Sequence, residues 1–145
     1  MELLARAAAE GHAPDPAKLL GAIPYCRHLG ITTSVENGAV LLVMPFAPHL
    51  VGNVILPALH GGVIGSLLET AAIVQVLYET REPRLPKPVD ITVDYLRSAR
   101  AVTSFARARI ARQGKRIINV HAEMWQDDEA KLVAALRGHF LIARG

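Results

Sequence analysis

Cysteine is nearly missing from this chain. Cys26 is the only one among 145 residues, and aromatic side chains are also few, with three Phe, three Tyr and one Trp. A lone cysteine excludes an intrachain disulfide framework and a cysteine-rich zinc site, and it fits a reducing compartment. Cys26 reads as a buried structural thiol, not a nucleophile. The first residues carry Glu2 and Arg6, so the uninterrupted apolar core of a signal peptide is absent, and Pro and charged residues divide the later apolar runs below membrane-spanning length. We therefore expect a cytoplasmic protein with no membrane partner. At 51% apolar composition the chain can fill one core, and we expect a single domain over 1–145 with residues 1–20 as a helical N-terminal extension.

Acidic residues are missing from one long stretch. Between Asp94 and Glu123 there is no Asp or Glu, while Arg97, Arg100, Arg107, Arg109, Arg112, Lys115 and Arg116 all fall there. The net charge is only +3, so the local field matters more than the total, and it favours an anionic ligand. No nucleic-acid motif or aromatic stacking pattern accompanies these cations, which argues against a nucleic-acid partner.

What is present divides into two halves. Residues 2–10 predict a short Ala-rich helix, stopped by Gly11 and Pro14-Asp15-Pro16, with a further turn or two over 17–23. Val35-Glu36 and Ala39–Phe46, joined by Asn37-Gly38, predict a hairpin, because Asn-Gly supplies the positive φ angles of a two-residue turn. A breaker-rich loop from Pro48 to Pro57 leads to a long helix over Gly61–Tyr78, with Gly65 its only internal blemish. The second half alternates: Val89, Ile91, Val93 and Tyr95 form one series, and Ile118, Val120, Ala122 and Met124 another. Further strands are predicted at 103–112 and 131–143, with turns at Gln113-Gly114 and Asp127-Asp128. The order, a hairpin, a long helix and then four strands, is an α+β pattern with an antiparallel sheet. The long helix is apolar nearly all round, so a curved sheet wrapped around it is the economical arrangement.

Within that helix stands one carboxylate, Glu69. Burying an unpaired acid costs several kcal/mol, which points to chemistry. At the helix start, Leu59-His60-Gly61-Gly62 places backbone N–H groups that lack intrahelical acceptors, and glycine lets a ligand come close. Such amides stabilise a developing oxyanion. Glu69 lies nine residues after His60, about 13 to 14 Å along an α-helix and roughly half a turn round it. One copy of the helix cannot aim both at the same atom. If donors and carboxylate serve one reaction, the simple solution is a two-fold dimer with Gly61 of one chain facing Glu69 of the other.

These residues resemble the hotdog-fold acyl-CoA thioesterases of the phenylacetate-degradation type. The likeness rests on Leu59-His60-Gly61-Gly62, the acid at Glu69 and Tyr95-Leu96-Arg97. It extends to Ile23-Pro24-Tyr25 through Leu29-Gly30-Ile31, to the Gly52-Asn53 to Pro57-Ala58 loop and to the Gly114 turn. It implies a curved antiparallel sheet around one long helix, assembled as homodimers and often as dimers of dimers. The implied substrate is an acyl-CoA, hydrolysed to a carboxylic acid and free CoA, with no cofactor beyond that substrate and no metal. By position, the Gly61 amide polarises the thioester carbonyl with His60 beside it, and Glu69 is general base or nucleophile. Gly62 and Thr70 fall at substrate-binding positions. Arg97, Arg112, Lys115 and Arg116 are the candidate cations for the CoA phosphates.

Two departures stand out. Relatives often carry Asn or Gln six residues before the histidine, where this chain has Val54; Asn53, one position earlier, is the candidate to serve instead. Where relatives have Ser or Thr near the acyl group this chain has Pro88, with Thr92 or Thr70 as polar substitutes. Two other functions suit the fold. A hydroxyacyl dehydratase also uses His and an acid, but the spacing from His49 to Glu69 does not match its pattern; a non-catalytic acyl-CoA-binding module needs only the pocket.

Overall fold

The computed structural model describes residues 2–142. Three short helices come first: α1 (Glu2–Ala9), α2 (Pro16–Ala22) and α3 (Pro24–Leu29). Asp15 caps α2 by accepting the Ala17 N–H at 3.0 Å, and Pro16 and Pro24 open their helices where a missing N–H costs nothing. α3 is an addition to the expected elements; Gly30 ends it at φ 72°. The expected hairpin is β1 (Thr32–Glu36) and β2 (Ala39–Met44), with Asn37 and Gly38 at φ 50° and 76°. The breaker-rich loop is more ordered than its composition predicts. It holds a 3-10 turn at Pro48–Leu50 and a small hairpin of β3 (Val51–Asn53) and β4 (Ala58–Leu59).

The long helix, α4 (Gly61–Thr80), is followed by β5 (Lys87–Tyr95), β6 (Ser104–Gln113), β7 (Ile117–Trp125) and β8 (Ala134–Leu141). The strand predicted over 131–143 begins later, because Asp128 accepts the N–H groups of Ala130 and Lys131 and closes a turn there; Ala143 lies outside the described residues. All pairings are antiparallel, in the order β1-β2-β6-β7-β8-β5. α4 packs on β2, β6, β7 and β8, which is the hotdog arrangement. Alternation decides which side chains meet it: Ile118, Val120, Ala122 and Met124 of β7 and Ala134, Leu136 and Phe140 of β8 are all buried.

By length and composition α4 is apolar enough to cross a membrane, contrary to the expectation that every apolar run falls short of that. Its apolar residues instead form the centre of the core, with Leu67, Leu68, Ala72, Val76 and Leu77 fully enclosed. One buried polar residue fixes its position. Gln75 accepts the Val40 N–H at 2.8 Å and donates to Gly38 O and Glu79, so the helix is tied to the β1–β2 turn. Leu4, Leu19 and Leu20 join the same cluster, so the first helices share one core with the sheet.

Candidate active site

At the start of α4 two neighbours pin one peptide group. His60 is the N-cap, and its Nδ1 accepts the Gly62 N–H at 2.9 Å. An acceptor Nδ1 carries no proton, so the neutral ring presents Nε2–H outward. On the other side of that peptide, the Tyr95 hydroxyl donates to Gly61 O at 2.8 Å. The Gly61–Gly62 peptide is thus held at its oxygen by β5 and at its nitrogen by the cap. The Gly61 N–H is left over; among the described residues no acceptor faces it. A Cβ at Gly61 would meet the Tyr95 side chain first, at an ordinary 3.5 Å.

His60 is itself set by the 3-10 turn and the small hairpin. Its N–H donates to Leu50 O at 2.9 Å, and Gly52 passes so close that a Cβ there would lie 2.6 Å from the His60 Cα. Gly52 is a residue the sequence left without a role; its place directly before the asparagine at a breaker-rich turn is the signal that points to it.

Glu69 is half-buried, not enclosed as its apolar flanks suggested, and among the described residues it has no hydrogen-bond or ionic partner. It opens into an apolar groove of about 260 Å³ walled by Ile23, Tyr25, Cys26, Ile73 and Leu85, with Thr70 beside it. Apart from Ile73 on α4, the walls come from the start of α3 and the segment after α4, neither of which sequence patterning marked as part of a site. Thr70 Oγ1 donates to Ser66 O at 2.7 Å. Burial pushes the Cys26 thiol up, and a hydrogen bond with Thr70 opposes this in part, as expected of a structural thiol. Because α4 is unbroken, Gly61 and Glu69 remain about 12 Å apart along its axis.

The other predicted residues are dispersed. Asn53 Oδ1 accepts the N–H groups of Ile55 and Leu56 at 3.0 and 3.2 Å, so its acceptor organises its own loop. Pro88 and Thr92 lie on β5, the exposed edge strand; Pro88 faces Phe140 beside a bulge and is not a wall of the groove. The basic stretch splits. Arg97 follows β5 and donates to Leu132 O, whereas Arg112, Lys115 and Arg116 sit at the β6–β7 turn, roughly 27 Å away along the strands. Arg100 and Arg107 are paired with Asp127 and Glu129, acids that lie far off in sequence, so the unopposed field of the linear chain is diluted on folding.

Comparison with known proteins gives the family and supports the fold. The thioesterase superfamily model matches residues 56–133, a span from the small hairpin to the start of β8. The medium/long-chain acyl-CoA thioesterase YigI of Salmonella typhimurium is 28% identical over 127 residues, covering 78% of this chain and 82% of its own. A crystal structure of a Chromobacterium violaceum protein is 36% identical, covers 99% of this chain and 98% of its own, and superposes with a TM-score of 0.75. The PaaI protein of the Escherichia coli phenylacetic acid degradation operon, at 23% identity over 98% of this chain and 97% of its own, shares the fold with a TM-score of 0.77.

Proposed function

This chain belongs to the thioesterase superfamily, and we propose that it is a cytoplasmic acyl-CoA thioesterase whose site is shared between two subunits. The observation that carries the reading is the unoccupied Gly61 N–H, held in place by Tyr95 and His60 at the start of a helix that carries one unpaired carboxylate. The kinship with YigI, named as an acyl-CoA thioesterase, supports the substrate class.

The thioester oxygen accepts the Gly61 N–H, with the Nε2–H of His60 as a neighbouring donor. Each preorganised donor of this kind is worth roughly 3 to 4 kcal/mol as charge develops on oxygen. Glu69 of the partner takes a proton from water, whose oxygen adds to the carbonyl carbon. Collapse of the tetrahedral intermediate breaks the C–S bond, and the thiolate of CoA leaves and is protonated. In the other route Glu69 attacks the carbonyl itself, the C–S bond breaks to give a mixed anhydride, and water then hydrolyses that anhydride. The two-fold arrangement follows from the 12 Å between Gly61 and Glu69, which no single subunit closes.

Arg97 and the group Arg112, Lys115 and Arg116 are cations for the CoA phosphates. These phosphates cluster in the nucleotide end of CoA, so the two groups serve one molecule together only if they come from different subunits. The assembly is a homodimer, and dimers of dimers extend it.

Thiol release measured over acetyl, octanoyl, long-chain and phenylacetyl CoA tests the reading. Wild type is expected to hydrolyse at least one class, and Glu69→Gln to lose two to four orders of magnitude in kcat, the usual range for a lost base. Unchanged turnover in Glu69→Gln defeats the assignment. Binding without thiol release in wild type defeats the activity.

A further inference from the structure

The face of the sheet turned away from α4 carries one polar row. Arg112 on β6 lies beside Asn119 on β7, Asn119 beside His139 on β8, and His139 beside Asp90 on β5. Ile118, Val120 and Phe140 belong to the core, so alternation sends Asn119 and His139 to the outer face. The row borders a cavity of about 370 Å³, walled by Arg112, Gly114, Ile117, Asn119 and His139. That volume falls in the range of roughly 300 to 1,000 Å³ typical of small-molecule sites.

Asp90 fixes the imidazole. Its carboxylate oxygens lie 2.9 and 3.1 Å from His139 Nδ1, which therefore carries a proton. In the neutral ring Nε2 is then an acceptor, and Asn119 Nδ2 donates to it at 2.9 Å. One atom is left over. Asn119 Oδ1 is buried and has no donor among the described residues, an arrangement that calls for an explanation. A second proton on the ring supplies one: the Asn119 amide turns over, Oδ1 accepts the Nε2–H, and Nδ2 becomes a free donor.

The charges that face His139 are Asp90 from β5, Arg112 from β6 across Asn119, and Arg137 on its own strand, which Asp94 engages at 3.6 Å. Lys87 opens β5, and Lys115 and Arg116 stand at the β6–β7 turn. Arg112, Lys115 and Arg116 have no acidic partner among the described residues. Asp90 is not a wall of the cavity, so its charge acts on the ring and leaves the opening cationic.

We propose that this cavity binds a phosphate monoester and that His139 takes up a proton from solvent as the anion enters. Arg112 and the turned Asn119 amide donate to the phosphate, and the imidazolium adds its charge beside them. Lys115 and Arg116 draw the anion in. The site refines the role given above to these cations and adds Asn119 and His139, with Asp90 as a positioning residue. Two sources share the chemistry: the ribose phosphate of CoA, which rests on the thioesterase reading, and a free nucleotide, which does not.

Histidine ring NMR reads the site directly. The Cε1–H signal of His139 is the one that His139→Gln removes. Sulfate, which does not titrate near neutrality, is added against chloride at matched ionic strength, at about pH 6.5, where an ordinary histidine is half protonated. The His139 signal of wild type should move saturably toward the position of a protonated ring, farther than that of any other histidine. In Arg112→Ala, an exposed position, half-saturation should need at least about tenfold more sulfate. CoA, dephospho-CoA and adenosine monophosphate then separate the sources. Movement with CoA and not with dephospho-CoA upholds the site as one for the ribose phosphate of the substrate; movement with adenosine monophosphate alone upholds it as one for a free nucleotide. A signal that stays in place with every anion, that moves no farther than the other histidines, or that responds equally in Arg112→Ala overturns the proposal. Sulfate binding is read without turnover, so a chain inactive on every acyl-CoA counts against the proposed activity alone.

Discussion

Removing only the hydroxyl of Tyr95 separates a group that positions the oxyanion donor from one that merely packs. Tyr95→Phe keeps the ring against Gly61 and deletes the 2.8 Å hydrogen bond to Gly61 O. In stability that bond is worth about 1 kcal/mol, the net value of an ordinary protein hydrogen bond. Tyr95 is 56% exposed, so water replaces part of the interaction and the stability loss stays near or below that figure. The effect on rate follows from a different quantity. A fully lost oxyanion donor costs about 2.7 to 4 kcal/mol in the transition state. The His60 bond to Gly62 still holds the other end of the peptide, so we expect part of that cost, about 1 to 1.5 kcal/mol. The expected result is a fall of about five- to thirteenfold in kcat, with KM within about twofold of wild type and a fall of only a few degrees in Tm. Steady-state thiol release on the best acyl-CoA, with thermal unfolding alongside, provides both readouts. Wild-type kcat in Tyr95→Phe, or a loss confined to KM, refutes the argument that Tyr95 holds the donor.

Other consequences follow from the same contacts. Gly52→Ala drives a Cβ to 2.6 Å from the His60 Cα, so backbone must shift; it should cost about 1 to 3 kcal/mol in denaturant unfolding and lower kcat more than Tyr95→Phe does. Gln75→Ala leaves the buried Val40 N–H without its acceptor and cuts the tie to the β1–β2 turn; chemical denaturation should show a loss of about 2 to 3 kcal/mol. Cys26 titrates above its ordinary value of 9.0 when folded, so the folded state keeps the proton that the unfolded state releases. Its contribution is fully present below that pH and is lost as pH rises beyond it, so Cys26→Ala should flatten the alkaline decline of Tm; an unchanged slope contradicts this.

The sequence carried most of the framework because its strongest signals were periodic. Alternation in Ile118–Met124 marks β7, Asn37-Gly38 marks the first turn, and the apolar run after His60 marks α4, and all three depend on local chemistry that folding leaves in place. What escaped notice depends on contacts between distant segments. The bond from Tyr95 to Gly61 spans 34 residues, the ion pairs of Arg100 and Arg107 reach acids 22 to 27 positions on, and the walls of the Glu69 groove come from residues 23 to 85. The basic stretch is the instructive case. Proximity in sequence implied a single cationic site, but an antiparallel strand carries its ends far apart, so Arg97 and Arg112 finish toward opposite ends of the strands. The same geometry worked in favour of the helix. An unbroken α4 fixes the interval between Gly61 and Glu69 as firmly as it fixes the core, and the proposed use of both groups in one reaction calls for a second subunit because of that interval. Local order in one element thus carries the proposal of a shared site, since the helix holds the two groups apart within a single chain.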